Sequence, residues 1–136
     1  MQRRLIECVP NISEGRDRAK IDAIANVVTT VEGVRLLDVD PGKATNRTVI
    51  TFVGEPEPVL EAAYRLIAKA QELIDMRGHS GEHPRFGATD VCPLVPVSGV
   101  SMEECAEYAR QLGERVGGEL GIPVYLYEAA ASEEKR

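Results

Sequence analysis

The sequence predicts an α+β domain in which helices cover one face of a mainly antiparallel sheet. Two patterns carry the prediction. Short runs rich in β-branched residues are bounded by turn signals, and three longer stretches repeat apolar residues at helical spacing. A third observation is size: 136 residues suffice for one core and leave little for a second.

Leu5 to Pro10 reads as the first strand, ending in the turn-rich loop Pro10-Asn11-Ile12-Ser13-Glu14-Gly15. Asp17 is placed to cap a helix whose stripe is Ile21, Ile24, Ala25, Val28 and Val31, with Gly33 as its stop. Val34 to Asp40 and Arg47 to Val53 form a hairpin across the loop Pro41 to Asn46. Pro56 and Pro58 suit the first turn of a second helix, where a missing N–H costs nothing. Its stripe is Leu60, Ala63, Leu66, Ile67, Ala70, Leu73 and Ile74. Ala88 to Val97 is a fourth strand, which Pro93 and Pro96 confine to an edge or to bulged pairing. Ser101 to Glu104 spells a capping box, opening a third helix with Cys105, Ala109, Leu112, Val116 and Leu120 inward and Gly121 as its end. Ile122 to Tyr127 is a last strand, and residues 129–136 are a small, charged tail after a domain spanning 1–128. The order β-α-β-β-α-β is that of a ferredoxin-like split β-α-β fold, with an added C-terminal α-β.

Hydrophobic residues at 43% and charged residues at 28% exclude wholesale disorder. A net charge of −6 disfavours nucleic acid, whose phosphates call for a basic surface. The three cysteines, Cys8, Cys92 and Cys105, form no C-x-x-C pair and read as reduced thiols of a cytoplasmic protein. The basic start Met1-Gln2-Arg3-Arg4 is followed only by Leu5 and Ile6 before Glu7, which is no secretory signal. Val91 to Val97, the longest apolar run, is too short to span a bilayer.

Residues 75–87 lack periodicity and contain the chain's two histidines, His79 and His83. An irregular stretch of that length inside a compact domain is a functional candidate. Imidazole titrates near neutrality and suits proton transfer; Glu82 and Asp90 can orient it, and Arg77 and Arg85 can hold a carboxylate. His79-x-x-Glu82-His83 also has the letters of a zinc signature, but Gly78, Gly81 and Pro84 deny it the helix that signature requires, so no metal is assigned. A second cluster is Asp38-Val39-Asp40 with Asn46-Arg47-Thr48 across the hairpin. The two carboxylates share a strand face, and Arg47 or a substrate ammonium can balance them. An ordinary exposed hairpin explains the same residues equally well. The loop after the first strand can deliver backbone N–H groups to an anion.

At these segments the chain resembles the N-terminal subdomain of the glutamate formimidoyltransferase (formiminotransferase) family. The likeness lies in Glu7-Cys8-Val9-Pro10-Asn11-Ile12-Ser13-Glu14-Gly15, Leu37-Asp38-Val39-Asp40 with Asn46-Arg47-Thr48-Val49, and Thr51-Phe52-Val53-Gly54. It continues through Leu73-Ile74-Asp75-Met76, Gly81-Glu82-His83-Pro84-Arg85, Asp90-Val91-Cys92-Pro93, Val100 to Cys105 and Pro123 to Tyr127.

The resemblance implies a transferase moving a formimino group between 5-formiminotetrahydrofolate and L-glutamate, with tetrahydrofolate as co-substrate and His83 as the catalytic acid/base. On that reading the chemistry of the residues makes Asp40, Asn46, Arg47, Glu82 and Arg85 the candidate substrate-binding residues, with Arg47 and Arg85 for the glutamate carboxylates. In that family a second subdomain supplies much of the folate contact. The sequence stops before that subdomain, so the expectation is a fragment, half of a split enzyme or a stand-alone relative, working as a homodimer or beside a separate C-terminal subdomain chain. The other expectation is a folate-binding or interaction module with no catalysis of its own.

Overall fold

The computed structural model describes residues 4–42, 44, 46–74 and 89–120. Six strands and three helices lie in the order β1 (Leu5–Cys8), β2 (Asn11–Ile12), α1 (Arg18–Thr29), β3 (Val34–Gly42), β4 (Arg47–Gly54), α2 (Pro56–Leu73), β5 (Thr89–Val91), β6 (Leu94–Ser98) and α3 (Met102–Arg115). A π-helical turn, Val116–Leu120, extends α3. All described pairings are antiparallel. One edge of β4 takes β3; the other takes β1 and β2 in succession, and these pair with β6 and β5. Counting β1–β2 and β5–β6 as one broken strand each gives the four-strand order of the split β-α-β arrangement. Ile122 to Tyr127, Gly121 and the charged tail lie outside the described residues.

The helices begin where their caps dictate. The Asp17 carboxylate accepts the amide hydrogens of Ala19 and Lys20, satisfying two donors with no partner inside α1. Ser101 Oγ accepts from Glu104 N at 3.0 Å while the Glu104 carboxylate accepts from Ser101 N at 2.9 Å, the reciprocal capping box. Gly33 turns the chain out of α1 at φ +93°, a left-handed angle that a β-carbon penalises. Helical residues Ile24, Val28, Ala62, Ala63, Leu66, Ile67, Ala70, Cys105, Ala109 and Leu112 share one buried cluster with Ile6, Cys8, Ile12, Ile50, Phe52 and Leu94. The helices thus cover one face of the sheet, as the patterning predicts. In α2 the buried stripe centres on Val59, Ala62, Ala63, Leu66, Ile67 and Ala70, and Leu60 and Leu73 sit on its flank.

Three features depart from the expected strands. The first strand ends at Cys8 and pairing resumes at Asn11–Ile12, inside the expected loop, while the fourth breaks at Cys92–Pro93 beside that gap; Val9 N donates to Pro93 O at 3.1 Å across it. Proline has no N–H to give a ladder, so matched breaks lose little pairing. In β3 the strand runs through Pro41 to Gly42, opposite Thr48 and Arg47. The third departure decides what faces the core. Leu36 pairs with Phe52 and Asp38 with Thr51, leaving Leu37 as a bulge with half its surface exposed. Without that extra residue Asp38 and Asp40 would take the phase of Leu36 and point into the apolar core. With it they face away, and Val39 packs inward instead.

Candidate functional site at one end of the sheet

The carboxyl ends of β2 and β3 and the amino ends of β4 and β5 meet at one end of the sheet. One row runs Thr89, Ile12, Thr48, Pro41; the next runs Val91, Asn11, Val49, Asp40. Because β4 alternates, Thr48, Ile50 and Phe52 face the helices, while Arg47, Val49, Thr51 and Val53 face the other way. Asp38 and Asp40, opposite Thr51 and Val49, share that second face with Arg47, as the hairpin reading expects. Both aspartates are exposed; Arg47 is half-buried, and its Nε is shielded from solvent.

The loop after β2 is tied to the hairpin. Asn46 adopts a left-handed φ of +55°, and its Oδ1 accepts from Gly15 N at 2.9 Å. Thr48 Oγ1 donates to Glu14 O at 2.5 Å. Gly15 lies so close that a β-carbon there would stand 2.4 Å from Gly42 O and 2.5 Å from Arg47 N. Ser13 and Thr48 are the fully buried polar residues of this joint. Both residues flanking Arg47 therefore hold the Glu14–Gly15 backbone, and Arg47 projects from the seam between them.

The expectation that this loop presents free N–H groups to an anion is not met. The Glu14 carboxylate accepts from Arg16 N at 3.1 Å and Asp17 N at 2.9 Å, Asn46 takes Gly15 N, and Asp17 caps α1. The chain's own oxygens occupy those donors, because a loop entering a helix must satisfy them before any ligand arrives.

His79, Glu82, His83 and Arg85 lie outside the described residues, as do Arg77 and the other positions of 75–88. Of the expected substrate-binding set, Asp40 and Arg47 share a face and Asn46 is engaged with Gly15. Thr48 and Gly15 lie in segments that the sequence singles out but outside the expected substrate-binding set. Their signal was nevertheless in the sequence: a threonine in phase with Ile50 and Phe52 must be buried, and a buried hydroxyl needs a partner.

Two other clusters are structural. Cys8 Sγ lies 3.4 Å from Cys92 Sγ in the core beside Cys105, and burial pushes the Cys8 thiol well above its ordinary range, which makes it inert. On the surface, Glu61 bridges Arg115 and Arg65, each at 2.8 Å; Arg115 stacks on Tyr64 at 3.7 Å, and Tyr64 donates to Glu119. Among the described residues no group of three His, Cys, Asp or Glu is arranged to hold a metal, and no helix is long and apolar enough to cross a membrane.

Fold and site together define an α+β domain of split β-α-β order whose polar residues gather where a β-hairpin meets the loop before the first helix. The profile of the formiminotransferase domain, N-terminal subdomain, matches residues 5–136, and the chain belongs to that family. It is 53% identical over 133 residues to the formimidoyltransferase-cyclodeaminase of Dictyostelium discoideum, covering 98% of this chain and 25% of that protein. To the glutamate formimidoyltransferase of Thermoplasma acidophilum it is 52% identical over 132 residues, covering 97% of this chain and 44% of the relative. The enzyme of the same name from Streptococcus pyogenes serotype M1 is 46% identical over 133 residues, with 98% and 44% covered. The chain thus spans between a quarter and just under half the length of these relatives.

Proposed function

We propose that this chain forms one half of a transferase that moves a formimino group between N5 of tetrahydrofolate and the amino nitrogen of L-glutamate. The observation that carries the reading is the family match over residues 5–136, together with half-identical relatives named for that activity. In the direction toward folate, N5 attacks the formimino carbon, a tetrahedral centre forms, and the glutamate nitrogen leaves with a proton. The reverse direction uses the same centre. The attacking nitrogen loses a proton and the leaving nitrogen gains one, so one imidazole of near-neutral pKa serves both steps; His83 is that group.

Arg47 and Arg85 would hold the glutamate carboxylates, and Asp40 or Glu82 would receive the ammonium or orient His83. What supports this grouping is closeness in sequence: Glu82, His83 and Arg85 precede Thr89 by four to seven residues, and Thr89 pairs with Ile12, whose other partner is Thr48, the residue after Arg47. The compartment consistent with a reduced folate and free thiols is the cytoplasm. The rest of the unit corresponds to the part of the relatives that this chain does not match.

The test is release of tetrahydrofolate from 5-formiminotetrahydrofolate, by the purified chain and by the chain mixed with the remainder of the Thermoplasma acidophilum relative. Glutamate-dependent turnover in either mixture is expected, and His83→Ala should slow it about 10²- to 10⁴-fold without loss of fold. Absence of turnover in both, from folded protein, sinks the transferase reading. Folate binding by calorimetry without turnover would instead select a second reading, a folate-binding module that is catalytically silent.

A further inference from the structure

We propose that Thr48 and Asn46 are positioning residues that set Arg47 for its substrate carboxylate by latching the Glu14–Gly15 backbone to the hairpin. The inference rests on the reading of Arg47 as a carboxylate anchor. Three observations converge on the latch. The two hydrogen bonds come from the residues immediately before and after Arg47, Asn46 Oδ1 accepting from Gly15 N and Thr48 Oγ1 donating to Glu14 O. The Arg47 backbone is itself the surface against which Gly15 lies, since a β-carbon on Gly15 would stand 2.5 Å from Arg47 N and 2.9 Å from Arg47 O. Thr48 is fully buried in the phase of Ile50 and Phe52, where an apolar residue would serve packing equally well.

Hydrogen bonds fix direction in a way that apolar contact does not. A valine at position 48 would fill the same volume and leave the Glu14 carbonyl and the loop free to shift. The guanidinium hangs from the backbone that the latch holds, so a loosened latch lets it leave the position where a bidentate carboxylate contact forms. Asn46 contributes a second constraint, because its left-handed φ suits asparagine and glycine but strains most other residues. Neither residue needs to touch substrate. Each acts through Arg47.

The test compares Thr48→Val with Thr48→Ser, by NMR without substrate and by kinetics in whichever mixture turns over. Thr48→Val should speed Gly15 amide exchange, shift the Arg47 Nε–H resonance, and raise the glutamate KM about tenfold with kcat held. Thr48→Ser, which keeps the hydroxyl, should restore all three. If Thr48→Val does not fold, Asn46→Gly replaces it, since glycine keeps the backbone angle and removes only the side-chain bond. An unmoved Arg47 resonance in the variant, or a serine that fails to rescue, overturns the proposal. A parent protein without turnover would end the transferase reading alone, because the NMR arm still decides the latch.

Discussion

The two ends of β4 are closed by equally tight contacts made of different chemistry. At its carboxyl end a β-carbon on Gly54 would stand 2.5 Å from Gly33 O, 3.2 Å from Val59 Cγ2 and 3.3 Å from Val34 Cα. Around that backbone the side chains are apolar: Val59 is fully buried, and Pro58 lies against Gly33. At its amino end Gly15 sits as closely on Gly42 and Arg47, but Thr48 and Asn46 hold it with directed hydrogen bonds. Apolar burial is non-directional and stabilises whatever shape fills the space. Hydrogen bonds define where atoms stand. One end of the strand is therefore built for stability, and the other for placement.

The largest expected effect removes the support common to both ends. Phe52 is fully buried at mid-strand, and Phe52→Ala should cost about 3–5 kcal/mol in urea unfolding. A loss below about 1 kcal/mol would mean that the ends stand independently of the core between them. The glycine pair sharpens the contrast. Gly54→Ala and Gly15→Ala should each cost about 1–3 kcal/mol, because backbone must move to admit the methyl group. Gly15→Ala alone should shift the Arg47 Nε–H resonance. Equal shifts from both would erase the distinction between the two ends.

The smallest effect lies on the surface between α2 and the end of α3. Hydrogen bonds from Arg115 and Arg65 lower the Glu61 pKa below its ordinary 4.5. A lowered carboxyl stabilises the fold above that value, and the gain disappears as pH falls through the folded pKa. Glu61 keeps a third of its side chain exposed, so screening limits the gain, and Glu61→Gln should cost no more than about 1 kcal/mol at pH 7. The gap between parent and variant melting temperatures should narrow below pH 4.5. A gap that stays constant down to pH 3 would assign the effect to packing rather than charge.

Much of this was legible in the residues. Asp17 and Ser101 cap where their side chains predict, and Pro56 opens α2, because capping depends on neighbours three or four residues away. The same-face pair Asp38 and Asp40 was also readable, since alternation is local. The strand breaks were signalled by Pro10 and Pro93 but not located, because a break shows itself only against its neighbour. Alignment of the two breaks across the sheet belongs to pairing. Asn46 was expected at substrate; its engagement with Gly15, 31 residues away, became visible only when the loop and hairpin were brought together.

By itself, then, the sequence determined the helices, their caps, the identity of the apolar stripes and the family. Those depend on short-range periodicity and on residue order. Tertiary structure decided the phase of β3. Val34 and Leu36 share one face, the bulge at Leu37 inserts a residue, and Asp38 and Asp40 emerge on the other. A bulge is defined by two residues opposing one, so it has no meaning until the partner strand is present. The same holds for Thr48, whose hydroxyl is an anomaly in an apolar face until Glu14 arrives to accept from it.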